Sequence, residues 1–351
     1  MSAETVLITG ANGFLALHII QQALARRWNI VGTVRSEEKA AKVKSLFPDV
    51  GSRLSLIYIT DLTNVAAFEP AFKEHSITAV INAAAPFVHR PKDLKADIVD
   101  PTIKSCLAVM EAAHRYGGSA LKRVAHVGSY ISTVNFSLGD APGKTYSPND
   151  WCMITYDEAI NSNEIILAYA GAKTLGERAM WDFIIKELPS FDLVVVLPAF
   201  LFGPHIEGVD LEHLHQSSDM LWELPAPSDN PSPFKSLHLG HWVDVRDVAK
   251  ALLLAIVTPT ATGERFLAAQ RTHWQFVRDA ARQINDELRN RIDPGTLGAG
   301  EAARDTTYDV DGTKLTIVLG IEYTPLFDSY ICTYLARGAT QPWCVYNRNR
   351  R

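Results

Sequence analysis

Cysteine is scarce and unpaired in this chain. Its four cysteines, Cys106, Cys152, Cys332 and Cys344, are widely scattered through 351 residues and none forms a C-x-x-C pair, which argues against a disulfide scaffold, a zinc ribbon and a redox dithiol. Charge of either sign is also not in excess: 34 basic against 39 acidic residues leave a net charge of −5, with no electrostatic footprint for nucleic acid or an anionic membrane. The longest apolar run, Leu193–Phe202, has ten residues interrupted by Pro198, well short of the roughly 20 needed to span a bilayer. Met1 to Gly10 already reads as a strand and a turn, with no basic and then apolar leader, so the expected location is cytoplasmic. Internal repeats and low-complexity tracts are missing too. What remains is a globular composition, 47% apolar and 21% charged, in a chain long enough for one large or two intimate domains.

Short β-branched runs alternate with helical patterns over the first 200 residues. Strands are expected at Val6–Thr9, Ile30–Val34, Leu54–Ile59, Ala79–Asn82, Arg123–Val127 and Asp192–Leu197, each apolar on both faces as a covered parallel sheet requires. Apolar residues recur at helical spacing in Phe14–Arg26, Glu37–Phe47, Val65–Glu74, Thr102–His114 and Glu164–Glu187. This βαβ rhythm predicts an α/β fold with a doubly wound parallel sheet, that is, a Rossmann fold, over residues 1–200 plus parts of 240–257. A smaller C-terminal α+β substrate-binding region is expected over 201–340, and a flexible basic tail over 341–351. Within the smaller region the pattern predicts helices at Arg246–Val257, Thr272–Ile284, Gly312–Leu319 and Phe327–Leu335, and a short strand at Arg265–Ala268. The segment His205–His241, rich in Pro, Ser and Asp, reads as a lid closing over a site.

Thr9-Gly10-Ala11-Asn12-Gly13-Phe14-Leu15-Ala16 follows the first strand and opens the first helix. A dinucleotide diphosphate needs a turn that its oxygens can approach closely and a helix N-terminus whose N–H groups point at them; Gly10 and Gly13 meet both needs, and Ala16 is small enough for helix–strand packing. The second strand ends at Arg35, where NAD enzymes usually carry a carboxylate, and Lys39 follows one turn later. Two cations there suit a ribose 2′-phosphate, hence NADPH/NADP+. Asp61 and Leu62, after the third strand, fit the adenine edge.

Tyr169 and Lys173 stand four residues apart, on one face of the long helix. A carbonyl that receives hydride also needs a proton. A phenol gives one up reluctantly at neutral pH, and a neighbouring ammonium favours its ionised form. Ser129, at the end of the fifth strand, is suited to orient the carbonyl. The histidines His205, His213, His215, His238 and His241 match no zinc spacing, so no metal is expected and one of them is read as a substrate contact.

Together these residues resemble the extended short-chain dehydrogenase/reductases, and within them the dihydroflavonol reductase-like branch with its fungal methylglyoxal/aldehyde (keto)reductases. The likeness runs from about Thr5 to Leu335 and is carried by Thr9–Phe14, Val34–Ala40, Ala84-Ala85-Pro86-Phe87, Tyr169-x-x-x-Lys173, Phe202-Gly203-Pro204 and Val243–Ala249. It implies a catalytic triad of Ser129, Tyr169 and Lys173, with Ala83, Ala84, Ala85, Pro198, Ala199 and Leu201 beside the cofactor. Phe87, Tyr130 and Phe200 would line the pocket of a small carbonyl substrate. The implied activity is NADPH-dependent carbonyl reduction, plausible in fungal secondary metabolism, by a monomer or homodimer. An epimerase or dehydratase of the extended family, or a non-catalytic NADP-sensing regulator, is the competing reading. Gly128 replaces the branch's usual second hydroxyl residue, and Ala199-Phe200-Leu201 replaces a valine- and tyrosine-containing run.

The cation pair generates a first prediction. Two charge-assisted contacts at roughly 1.5–3 kcal/mol each give NADPH an advantage well above tenfold over NADH. Arg35→Asp weakens or inverts it, and equal kcat/KM for the two cofactors in the unmutated chain refutes the reading.

Overall fold

A computed structural model describes residues 4–84, 91–206, 217, 221, 240–303 and 306–329. The β-branched runs form β1 (Thr5–Ile8), β2 (Asn29–Val34), β3 (Leu54–Tyr58), β4 (Ala79–Asn82), β5 (Arg123–Val127) and β7 (Asp192–Pro198). With β10 (Arg265–Ala268) they make a seven-stranded sheet in the order β10-β7-β5-β4-β1-β2-β3, and every neighbouring pair is parallel. Parallel neighbours need crossovers. Among the helices that supply them are α1 (Phe14–Ala25), α2 (Glu37–Leu46), α4 (Asp100–Tyr116) and α6 (Ile165–Glu187).

Two apolar layers sandwich the sheet. One face packs Val6, Ile8, Ala125 and Val194 against Leu15, Ile19, Ile20 and Ala23 of α1 and the helix Val245–Val257. The other packs Leu7, Val80, Val124 and Val195 against Val109, Met110 and Ala113 of α4 and Met180 of α6. Alternate residues of one strand therefore enter different layers, and few polar residues fit within them.

By sequence pattern alone Arg265–Ala268 belongs to the small C-terminal layer. It instead pairs with β7, from Arg265 opposite Val195 to Ala268 opposite Pro198, because its four residues are all buried and seat as an edge strand. The expected helix Val65–Glu74 divides into a 3-10 turn, Val65–Phe68, and α3 (Glu69–Glu74). Pro70, lacking an N–H, is tolerated in a first turn and not inside a helix, so the helix restarts around it. The expected helix Thr272–Ile284 shortens to Trp274–Arg282, with His273 as its N-cap.

Pairing also creates strands too short to be read from sequence. β8 (Phe200–Phe202) lies parallel to β9 (His241–Asp244), with β11 (Gln270–Arg271) antiparallel on β9's other edge. β12 (Asp309–Val310) pairs with β6 (Thr145–Tyr146). Residues 326–329 are helical; the rest of the expected Phe327–Leu335 helix and the tail 341–351 lie outside the described residues.

Beside β10 sits a buried ion pair. The Arg265 guanidinium donates to both Glu177 oxygens (2.6 and 3.1 Å) and to the Asp150 carbonyl (2.9 Å), and lies 3.7 Å from the Trp151 ring centre. Glu177 is fully buried. Breaking such a pair from one side strands a charge, so Glu177→Met is expected to cost about 3–5 kcal/mol. Adding Arg265→Met should cost little more; urea midpoints for the single and double variants check it, and simple additivity contradicts it.

Candidate active site

The topological switch lies between β1 and β4, whose neighbours run outward in opposite directions. Open α/β sheets bind ligands in the crevice beyond the carboxyl ends of such strands. Gly10 turns the chain there with φ +67°, and its N–H and that of Ala11 donate to Thr33 Oγ1 (2.9 Å) and Thr33 O (2.8 Å) of β2. A Cβ on Gly10 would stand 3.0 Å from the Ala84 Cβ, and one on Gly13 would stand 3.2 Å from the Gly10 carbonyl. Only glycines keep this cradle open at its present width. Helix α1 then begins at Phe14, with no side-chain cap and no acidic residue in its first turn, which preserves its positive end for an anion. Asn12 is exposed at the turn's tip, and Leu15 is buried behind it.

Arg35 and Lys39 are both exposed at the carboxyl end of β2. Ser36 between them caps α2, its Oγ accepting from the Lys39 N–H at 3.3 Å. Asp61 is exposed and accepts from the Thr63 N–H (2.8 Å) and hydroxyl (2.7 Å), which hold its carboxyl below the usual range. Those bonds fill the ordinary turn role of an aspartate. Leu62 packs at the edge of the α4-side core.

A chain of hydrogen bonds that no sequence motif marks crosses the switch point. The Ala84 N–H donates to Thr9 Oγ1 (2.9 Å), whose hydroxyl donates to Asn82 Oδ1 (2.9 Å); Asn82 Nδ2 meets His126 Nδ1 at 3.2 Å. The ends of β1, β4 and β5 are thereby tied side by side. Burial, reinforced by the nearby Lys173 charge, drives the His126 pKa down to about 3, so its ring stays neutral. In the sequence Thr9 stands out only as the first residue of the glycine motif.

Helix α6 brings the phenol and ammonium to the end of β5. Lys173 is buried, and its Nζ donates to the Val127 carbonyl at 3.3 Å. Tyr169, one turn earlier, is half-buried and packs in a cluster with Ile131 and Cys152. Ser129 lies two residues beyond Val127, buried, its Oγ accepting from the Ile131 N–H at 3.4 Å as it opens the 3-10 turn Tyr130–Thr133. The three expected triad residues thus gather at one strand end. On another side of α6, Gly171 lets it pack closely on α5 (Tyr156–Asn161), since a Cβ there would stand 2.4 Å from the Ala159 Cβ.

Tyr130 is buried, with its ring 6.5 Å from that of Phe200. Ala199 donates to the Ala268 carbonyl at 3.0 Å, which ends β7 and β10 together beside Pro198, and Leu201 donates to Ser217 Oγ at 3.2 Å. Ala83 and Ala84 follow β4 at the switch point, whereas Ala85 and Phe87 lie outside the described residues. So do His213, His215 and His238, and with them most of the expected lid. Among the described residues no group of three or more His, Cys, Asp or Glu is arranged to hold a metal ion, and no helix is long and apolar enough to cross a membrane.

The profile of the NAD dependent epimerase/dehydratase family matches residues 6–269. An uncharacterised oxidoreductase of Schizosaccharomyces pombe is 31% identical over 272 residues, covering 77% of this chain and 79% of its own length. The NADPH-dependent methylglyoxal reductase GRE2 of Saccharomyces cerevisiae is 28% identical over 331 residues, 92% of this chain and 94% of that protein. The crystal structure of yeast methylglyoxal/isovaleraldehyde reductase Gre2 complexed with NADPH superimposes with a TM-score of 0.86 at 26% identity, over 95% of this chain and 97% of that one.

The hydroxyl that joins the strand ends gives the next prediction. Thr9→Val keeps the shape of the side chain but leaves the Ala84 N–H and Asn82 Oδ1 unpartnered, at an expected cost of about 2–4 kcal/mol. A thermal midpoint unchanged from the unmutated chain would deny the hydroxyl that role.

Proposed function

The chain belongs to the NAD dependent epimerase/dehydratase family, and we propose that it is an NADPH-dependent carbonyl reductase converting a ketone or aldehyde to an alcohol. The observation that carries the reading is the Lys173 ammonium on the Val127 carbonyl, with Tyr169 one turn before it and Ser129 two residues beyond that carbonyl. The relatives named as methylglyoxal reductases support the reaction class.

The cradle suits the cofactor. Gly10, Asn12, Gly13, Phe14 and Leu15 would hold the diphosphate, Arg35 and Lys39 the 2′-phosphate, Asp61 and Leu62 the adenine end, and Ala83, Ala84, Ala85, Pro198, Ala199 and Leu201 the remainder. When bound, NADPH supplies the hydride that the carbonyl carbon receives. The protein's part is to handle the oxygen. Ser129 Oγ–H donates a hydrogen bond to the carbonyl oxygen and orients it; the Tyr169 hydroxyl gives its proton to that oxygen as negative charge develops; the Lys173 ammonium stabilises the phenolate left behind. Lys173 has further N–H donors beyond the one on Val127, and these suit the ribose hydroxyls.

Tyr130 and Phe200, with Phe87, are the proposed pocket walls. The buried free thiols of Cys106 and Cys152 suit a reducing, cytosolic setting. Assignment to secondary metabolism rests on the motif likeness alone.

Tyr169→Phe deletes one hydroxyl and keeps the ring, so it should reduce kcat by about 10²–10⁴ while NADPH affinity stays nearly intact. Lys173→Ala should damage both. Steady-state oxidation of NADPH, followed beside cofactor fluorescence titration, separates the two effects. A Tyr169→Phe enzyme retaining more than half of its turnover would remove the proton-donor assignment and favour the regulator reading.

A further inference from the structure

Behind Tyr130 the structure builds a polar support from parts of the chain far apart in sequence. His241, in β9, is 1% exposed. Its ring stacks on Tyr308 (centroids 5.6 Å apart, planes 16° apart) and leans on Tyr130 (6.0 Å, 51°). Its Nε2 is 3.1 Å from Asp309 Oδ1, and the other Asp309 oxygen pairs with Arg271 at 3.2 Å. Asp309 is anchored in turn, because its N–H donates to the Lys144 carbonyl at 2.8 Å where β12 joins β6. Burial holds the imidazole neutral, while the hydrogen bond from His241 keeps the Asp309 carboxyl ionised. Nε2 therefore carries the proton and donates, which fixes the tautomer and the plane of the ring.

A ring so held has one orientation to offer its neighbours. Tyr130 directly follows Ser129, and β9 pairs in register with the strand carrying Phe200, which stands opposite Trp242. We propose that His241, locked by Asp309 and backed by Tyr308, is a positioning residue that sets the Tyr130 wall of the carbonyl pocket and thereby selects among carbonyl substrates. The inference rests on the reductase reading above for the pocket itself. It adds a determinant outside the motifs and outside the segment after β5 that carries Ser129.

The test uses Asp309, whose side chain is 44% exposed, so that substitution there spares the core. Asp309→Ala removes the acceptor for His241, whereas Asp309→Asn retains a carbonyl oxygen for it; both lose the ion pair with Arg271. One lost hydrogen bond corresponds to about a threefold to tenfold change in an equilibrium constant. In the full-length protein, Asp309→Ala is expected to raise KM for isovaleraldehyde by that factor, with KM for NADPH unmoved and the kcat/KM ratio of isovaleraldehyde to methylglyoxal altered. Asp309→Asn restores both aldehyde parameters. A merely structural role lowers thermal stability equally in the two variants and leaves the ratio where it was, and that outcome overturns the proposal. Calorimetric binding of isovaleramide, an unreactive amide of the same shape, to the NADPH complex provides a readout independent of turnover. Binding that weakens in Asp309→Ala and recovers in Asp309→Asn supports the positioning role even if neither aldehyde is reduced, in which case the reductase reading alone fails. Isovaleramide affinity equal in all three proteins, or no binding at all, refutes it.

Discussion

The Thr9 hydroxyl is the interaction on which the site's geometry rests. A hydroxyl can accept and donate at once, and here it does both: it takes the Ala84 N–H and gives its proton to Asn82. Asn82 passes the connection to His126 in β5. Two strands that diverge at a switch point have a gap between their ends, and the backbone hydrogen bonds of the sheet stop short of it. The side-chain relay continues the sheet's cross-strand bonding for one further residue. Gly10, whose Cβ-less backbone lies against Ala84, is held at the width the relay sets. Any shift of β4 relative to β1 would close or open the cradle, so the loop's preorganisation is a property of three strands and not of the glycine motif alone.

A second set of buried polar groups lies deeper on the α6 side. Lys173 takes the Val127 carbonyl, Glu177 one turn later takes Arg265, and Arg265 reaches the Asp150 carbonyl and the Trp151 ring. One helix thus presents a cation toward the end of β5 and an anion toward β10. Glu177 is fully enclosed and would be costly unpaired; the two-point contact from a planar guanidinium satisfies both of its oxygens. This pairing fixes the rotation of α6 about its axis. Because Tyr169 and Lys173 lie one turn apart on that helix, the rotation that seats Glu177 on Arg265 also directs Lys173 to β5. Packing alone would specify the orientation less sharply, since small residues such as Ala168, Ala170, Gly171 and Ala172 make up much of the buried surface.

Much of this was legible in the sequence wherever a signal was local. The strands Ala79–Asn82 and Arg123–Val127 were read with their observed bounds, since Val80, Ile81, Val124, Ala125 and Val127 give each a short apolar centre. The glycine loop was legible because a positive φ at Gly10 and a close approach at Gly13 restrict the residue type. The Tyr169–Lys173 pair was legible because helical spacing is itself a distance. What escaped depends on register. The two-residue strands β6, β11 and β12 have no periodicity to detect, and their pairing is set by the sheet and helices around them. Arg265–Ala268 is legible as a strand but not in its layer, because four residues carry no indication of which edge they join. Thr9, Asn82 and His126 are each unremarkable in isolation; their bonding appears only once β1, β4 and β5 lie adjacent.

The C-terminal region completes the same logic by different means. It contributes few long elements, and two of its attachments are single carboxylates that each accept two or more bonds. Asp309 receives His241, Arg271 and its neighbour's Val310 N–H. Asp247 receives the Thr324 N–H at 2.7 Å and the Thr324 hydroxyl at 3.0 Å. The two differ in setting. Asp309 is half-exposed with cationic or donating partners, which favour its charge. Asp247 is buried near Asp244, and burial raises its pKa to about 6 despite the two donors from Thr324. A raised folded-state pKa means that ionisation disfavours the fold, so the stability that Asp247 contributes declines as pH rises from the ordinary carboxylate range through about 6, while that from Asp309 is lost only as pH falls below that range. The fastening beside Tyr130 is accordingly the one whose charge persists at neutral pH. The persistent one runs through His241 to the proposed pocket wall, so the geometry closest to the chemistry is kept by the carboxylate whose charge the surroundings favour.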